Sequence, residues 1–187
     1  MKGRLLEILP EIKWIADEGL REKVIATWID GLERGGWTPD DVDRMPFTLA
    51  KKVTSSFAKH VRSVTRICAF VADTFDEIYG GVDLKLDKDL ILAGALLHDV
   101  GKLLEMEEVE GTFRKGHDGK LVRHAFSGVA LADALGLPVR SLEEIKAEVE
   151  RLVRPVGRPI FGDEIVAAIE WRDGTVIDVV RKVEGWE

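Results

Sequence analysis

Apolar residues recur along most of the chain at offsets of three and four, the spacing of amphipathic helices. Residues 4–17 and 19–33 read as two helices parted near Gly19, with Gly35-Gly36 ending the second. Thr38 followed by Pro39 and two aspartates predicts a further helix start. Pro46 breaks the chain before a long helix predicted over about 48–78, closed by Gly80-Gly81. Asp87 caps the helix holding the most apolar stretch, LILAGALL at 90–97, and Gly101 helps to end it. Residues 111–123, GTFRKGHDGKLVR, predict a hairpin turning on HDG. A helix over about 124–136 is stopped by Gly136 and Pro138. SLEE at 141–144 is a capping box opening a helix to about 153. RPVGRPIFG then reads as a loop, and Asp163 caps a final helix running into the 180s. The expectation is an all-α bundle with one small β-hairpin near 112–123. An N-terminal helical segment, 1–45, would pack on a single compact unit, 46–187.

Composition narrows the classes of function. The 187 residues, 45% apolar, suit an ordinary globular protein. The apolar run at 90–97 is far shorter than the roughly 20 residues of a membrane-spanning helix. The N-terminus, MKGRLLEILPEIK, carries charge where a signal peptide needs an unbroken apolar stretch. Cys68 is the only cysteine, so no internal disulfide forms, and a cytoplasmic location is the default expectation. The net charge of −7, with both signs mixed and no basic tail, argues against a protein that tracks nucleic-acid backbones. A small anionic substrate stays open, because a bound cation reverses the local field.

Helical spacing then sorts the polar residues. His60 precedes Val64, Ile67 and Val71 at offsets of 4, 7 and 11, which places it on an apolar stripe. His124 precedes Gly128, Leu131 and Leu135 in the same way. Asp173 shares a face with Val166, Ile169, Ile177 and Val180, whereas Asp178 shares one with Glu170 and Arg181 and reads as solvated. His98 and Asp99 end the apolar run. Taken singly, each inward group reads as a hydrogen-bonded core residue. Together they are two inward carboxylates and several imidazoles with few inward basic partners, and a divalent cation would satisfy them jointly. Imidazole nitrogen with carboxylate oxygen suits Mn, Fe, Co, Ni or Zn.

His60, then His98-Asp99 with Val-Gly-Lys behind it, then a distant Asp173, resembles the H…HD…D signature of the HD-domain superfamily. RHAFSGVALADALGLP at 123–138 is similar to the part of many such proteins where a histidine opens a helix ending in GLP. The resemblance implies an HD-domain helical bundle and metal-dependent phosphohydrolase activity. Members with two metals use two further histidines before the last aspartate. Here no histidine follows His124, which favours one divalent ion per chain, held by His60, His98, Asp99 and Asp173. Mn, Co, Ni, Fe, Zn and Mg all stay open.

The expected chemistry is cleavage of a nucleotide or other small phosphate ester by a metal-activated water. Asp99 would ligate the metal and also accept a proton from the water or orient it. His124, if off the metal, would hydrogen-bond the phosphate or assist proton transfer to the leaving oxygen, and Lys102 would place positive charge by the phosphate. Arg62 and Arg66 are weaker candidates for that task, against a reading as solvated surface. His117 reads as exposed, Cys68 as core, and Trp14, Trp28 and Trp37 as packing residues. The partner would be a small phosphorylated substrate, with no membrane and no long nucleic acid, and a homo-oligomer stays open. The alternative is a degenerate HD-domain module that binds metal or nucleotide without turnover.

Overall fold

The computed structural model describes residues 1–50, 53–79 and 86–137, together with the backbone of residues 171–172 and 175–176. The chain divides into two units, Met1–Val139 and Arg140–Glu187. The first is helical with a small antiparallel hairpin. The expected helices at 141–153 and from 163 lie outside the described residues for nearly all of their length.

Helix α1 (Lys2–Ile8) is followed by a 3-10 turn, Pro10–Trp14, and then by α2 (Glu18–Gly35). The single helix expected over 4–17 is therefore divided, because proline at position 10 has no N–H to continue the α-helical ladder. Asp17 caps α2 through Leu20 N at 2.7 Å, and Gly36 ends it at φ 73°, a conformation glycine adopts freely. Helix α3 (Pro39–Arg44) opens with the capping box of Thr38 and Asp41.

The long helix α4 (Phe57–Tyr79) starts later than the predicted 48. Residues 46–56 instead form a loop closed by an antiparallel bridge between Pro46 and Ser56, with Phe57 N bonded to Met45 O at 2.7 Å. Ser56 Oγ accepts from Lys59 N and so meets a free amide of the first turn. The buried face of α4 is Phe57, Ala58, Val61, Thr65, Ala69 and Ala72. The stripe expected to face inward runs beside it instead, with Ile67 63% and Val71 56% exposed. Small residues win the buried face where α4 lies close against α5 (Lys88–Leu97). His60 sits at the edge of that face, half-buried, and Cys68 is likewise half-buried.

After α5 the chain turns through His98–Gly101 into the short α6 (Lys102–Glu105). Strands β1 (Met106–Val109) and β2 (Thr112–Lys115) pair antiparallel, Val109 opposite Thr112. Their two-residue turn is Glu110-Gly111, both at positive φ, as tight hairpins demand. The hairpin thus precedes the expected HDG turn, and His117-Asp118-Gly119 begin helix α7 (His117–Leu121), with His117 exposed. Helix α8 (His124–Ala134) completes the described part of this unit and ends toward Gly136 at φ 68°.

One apolar core runs through these elements. Trp28 and Leu32 of α2 meet Phe57, Leu92, Leu96, Leu103 and Leu131 in it. Two indoles also reach polar partners, Trp28 Nε1 donating to Leu96 O (3.2 Å) and Trp37 Nε1 to Leu103 O (2.7 Å). Trp14 is instead partly exposed, with the Arg66 guanidinium over its ring. Among the described residues no helix is long and apolar enough to cross a membrane.

In the second unit, β3 (Trp171–Arg172) pairs antiparallel with β4 (Thr175–Val176). A continuous helix across 166–180 is therefore not formed. Trp171, Thr175 and Val176 are residue types that favour strand, and this preference overrides the helical period read there. Asp173 and Asp178 themselves lie outside the described residues, and the helical-face argument that separated them lapses.

Candidate metal centre

The turn after α5 gathers the site. Asp99 is 6% exposed, and its Oδ2 meets three polar groups: His60 Nε2 at 3.2 Å, His98 Nε2 at 3.3 Å and Lys102 Nζ at 2.5 Å. Its other oxygen, Oδ1, faces His124 Nε2 at 3.2 Å. Four of the residues singled out from the sequence, His60, His98, Lys102 and His124, thus surround the fifth, Asp99. Asp173 lies outside the described residues.

Local structure explains each position. His98 Nδ1 lies 2.8 Å from Ala95 O, one turn back in α5. A carbonyl only accepts, so Nδ1 carries a proton; the neutral ring points its Nε2 lone pair into the site, and the protonated ring donates Nε2–H to Asp99. The His60 ring stacks on Phe47 at 4.9 Å between centroids, tilted by 21°. The loop closed by Pro46 and Ser56 brings Phe47 there, and Phe47 O accepts from Lys102 Nζ at 2.6 Å. Helix α8 supplies His124 from its first residue.

Charge at the site is centred on Asp99. Burial pushes its carboxyl up, but hydrogen bonds from His98 and Lys102, with the lysine charge, outweigh burial and hold it well below the usual carboxylate range. Its hydrogen bond to Asp99 raises His98 against the opposing effect of burial. Burial lowers His60, with the Asp99 charge opposing.

The donor set fits a divalent cation. One atom each from His60, His98 and Asp99 lies within 4.8 Å of the others. The Nε2 atoms of His60 and His98 face each other at 3.2 Å. Two such lone pairs repel unless a proton or a cation lies between them. Imidazole and carboxylate donors with no thiolate suit Mn, Fe, Co, Ni or Zn.

Other residues take different places from those expected. Lys102, expected beside a phosphate, is 8% exposed and bonded to Asp99 and Phe47 O. Arg62 and Arg66, partly exposed, both bond the fully buried Glu11, Arg62 through Nε at 3.1 Å and Arg66 at 2.7 Å. Glu105 was missed by sequence reasoning. Its Oε2 accepts from His124 Nδ1 and from His124 N (3.2 Å), and Lys115 Nζ lies 3.4 Å from Oε1. Burial raises Glu105, but its bond to His124 and the charges nearby bring it below the usual range. Glu107, Glu108 and Glu110 follow it closely in sequence, and no spacing sets it apart from them.

Comparison with known proteins places this geometry in a family. A dihydroneopterin 2',3'-cyclic phosphate phosphodiesterase of Methanocaldococcus jannaschii is 32% identical over 120 residues, 59% of this chain and 44% of that protein. The chain thus spans less than half of that relative's length. The citrate lyase alpha chain of Klebsiella pneumoniae is 39% identical over 49 residues, 26% of this chain and 10% of that protein. No solved structure gives a significant match. The HD domain family matches residues 57–181, which include every residue of the His60, His98, Asp99, Lys102 and His124 cluster. The chain belongs to the HD domain family.

Proposed function

We propose that this protein is a metal-dependent phosphohydrolase that cleaves a small phosphate ester, a nucleotide or cyclic phosphodiester foremost. The observation that carries the reading is the cluster of two imidazoles and one buried carboxylate with ligand atoms within 4.8 Å. The cyclic phosphate named for the archaeal relative favours a phosphodiester.

His60 and His98, through Nε2, and Asp99 would hold the ion. The family's final aspartate would be a fourth ligand, and Asp173 is carried for it as the sequence was read, with Asp178 as the other candidate inside the matched residues. When bound, a divalent ion polarises a phosphoryl oxygen and lowers the pKa of a bound water. The chain's own residues do the rest. Asp99 Oδ1, turned toward His124, can orient the water while the His124 ring takes its proton. His124 Nε2, beside the same oxygen, can return a proton to the leaving alkoxide. Lys102 keeps the carboxylate ionised and in place.

The test loads the full chain with Mn, Co, Ni, Fe, Zn or Mg in turn. Each form is offered p-nitrophenyl phosphate, bis(p-nitrophenyl) phosphate and nucleotides that include 2',3'-cyclic phosphates. Hydrolysis with at least one metal, abolished in Asp99→Ala, is the expected result. Inactivity with all six refutes the enzyme, and stoichiometric metal by elemental analysis would then leave a binding module. Metal content also decides the fourth ligand. Asp173→Ala should lose metal and Asp178→Ala should keep it, and the opposite pattern reassigns the ligand.

A further inference from the structure

We propose that Glu105 is a positioning residue for His124, fixing its tautomer and ring orientation toward the site. The inference rests on reading the site as a hydrolytic centre, but its geometry is independent of that reading. Glu105 is 6% exposed on α6, and its Oε2 accepts from the ring Nδ1–H of His124 and from the backbone N–H of the same residue. One carboxylate oxygen thus holds both the ring and the first peptide of α8. The opposite ring nitrogen, Nε2, is left facing Asp99 Oδ1 at 3.2 Å.

Glu105 is itself fixed from several sides. Lys115 Nζ of β2 lies 3.4 Å from Oε1. Gly116 N donates to Glu105 O at 2.9 Å. A Cβ at position 119 would stand 2.2 Å from Glu105 O and 2.7 Å from its Cγ, so α7 closes directly over the residue only because glycine is there. The hairpin and α7 therefore act on the site through Glu105, although neither supplies a side chain to Asp99. A carboxylate behind one imidazole nitrogen sets the tautomer and aims the other nitrogen, and losing such a partner costs roughly 10–100-fold in metal affinity or activity.

The experiment compares Glu105→Met, which keeps length and loses the strong acceptor, with Glu105→Gln, which keeps an acceptor and loses the charge. Long-range ¹⁵N spectra of the metal-free full chain, at a pH where the ring is neutral, report the His124 tautomer. Wild type should show Nδ1–H, Glu105→Met a shift toward Nε2–H, and Glu105→Gln the wild-type pattern. With Mn and bis(p-nitrophenyl) phosphate, Glu105→Met should lose roughly 10–100-fold in kcat with KM little changed, and Glu105→Gln under about tenfold. An Nε2–H ring in wild type, or an unchanged ring in Glu105→Met, overturns the proposal. Should Glu105→Met fail to fold, a Glu105→Gln loss beyond about 100-fold with the ring unchanged makes charge the operative property and overturns positioning. If wild type hydrolyses nothing, the hydrolytic reading falls while the ring spectra still decide the role of Glu105.

Discussion

Lys102 and a metal ion would satisfy the same need of Asp99, a positive partner for a carboxylate that is almost wholly buried. Breaking a buried pair by deleting one member costs about 3–5 kcal/mol, because the other charge is left uncompensated. Lys102→Met should therefore destabilise the metal-free protein by about 3 kcal/mol. Saturating Mn should recover most of that loss, since a ligand that binds the native state stabilises it and here replaces the missing charge. Urea unfolding with and without Mn measures both. An equal loss in the two conditions would mean that Lys102 serves packing against Phe57 rather than the carboxylate. At this scale the sequence was informative where a polar side chain interrupted an apolar helical pattern, as His98, Asp99 and His124 do. His60 instead reaches the cluster from the edge of the buried face and not from the stripe it was read on. Phe47 and Glu105 carried no such mark. Phe47 reaches His60 through a loop closed by a bridge, and Glu105 is buried by tertiary contacts in an acidic stretch.

Elements position these residues by close approach. Gly101 lies where α6 meets the first turn of α8, and a Cβ there would stand 2.0 Å from His124 O and 2.5 Å from Gly128 N. Both atoms are backbone, so neither can swing aside. Gly101→Ala should cost about 1–3 kcal/mol and push α8 outward, lowering hydrolysis with it. Thermal melts and kcat check the pair of effects, and an unchanged kcat would uncouple α8 from the site. Helix α3 offers a separate handle. Burial raises Asp41, but its bonds to Arg44 and to Thr38 outweigh burial and bring it below its ordinary 3.8. The contribution of this cap is thus complete above that value and disappears as pH falls through the lower folded value. Asp41→Asn should flatten the acid limb of stability by about 1 kcal/mol, read from urea midpoints between about pH 5 and pH 2. Helices with strong caps were legible, as Thr38 with Asp41 and Gly36 show. The start of α4 was not, because the bridge between Pro46 and Ser56 decides it, and the hairpin was placed too late because its turn is Glu110-Gly111 and not HDG.

At the scale of the molecule, helical class and family were legible from one motif and its spacing, whereas the distribution of exposed apolar surface was not. The period of α4 is compatible with two adjacent faces, and only packing against α5 selects between them. The indoles of Trp28 and Trp37 have a consequence for excision. They grip Leu96 and Leu103, on either side of the segment that carries His98, Asp99 and Lys102. The family match begins at residue 57, so both clamps come from outside it. A fragment cut to residues 46–187 would lose Trp28, whose truncation alone typically costs about 3–5 kcal/mol. Total stabilities of only about 5–15 kcal/mol leave little reserve against that loss and the loss of Leu5, Leu9, Ile12 and Leu32 with it. Such a fragment should lack a cooperative urea transition by circular dichroism, while the 187-residue chain shows one. On that outcome the start of the family match and the start of the autonomous folding unit fall at different places in this chain.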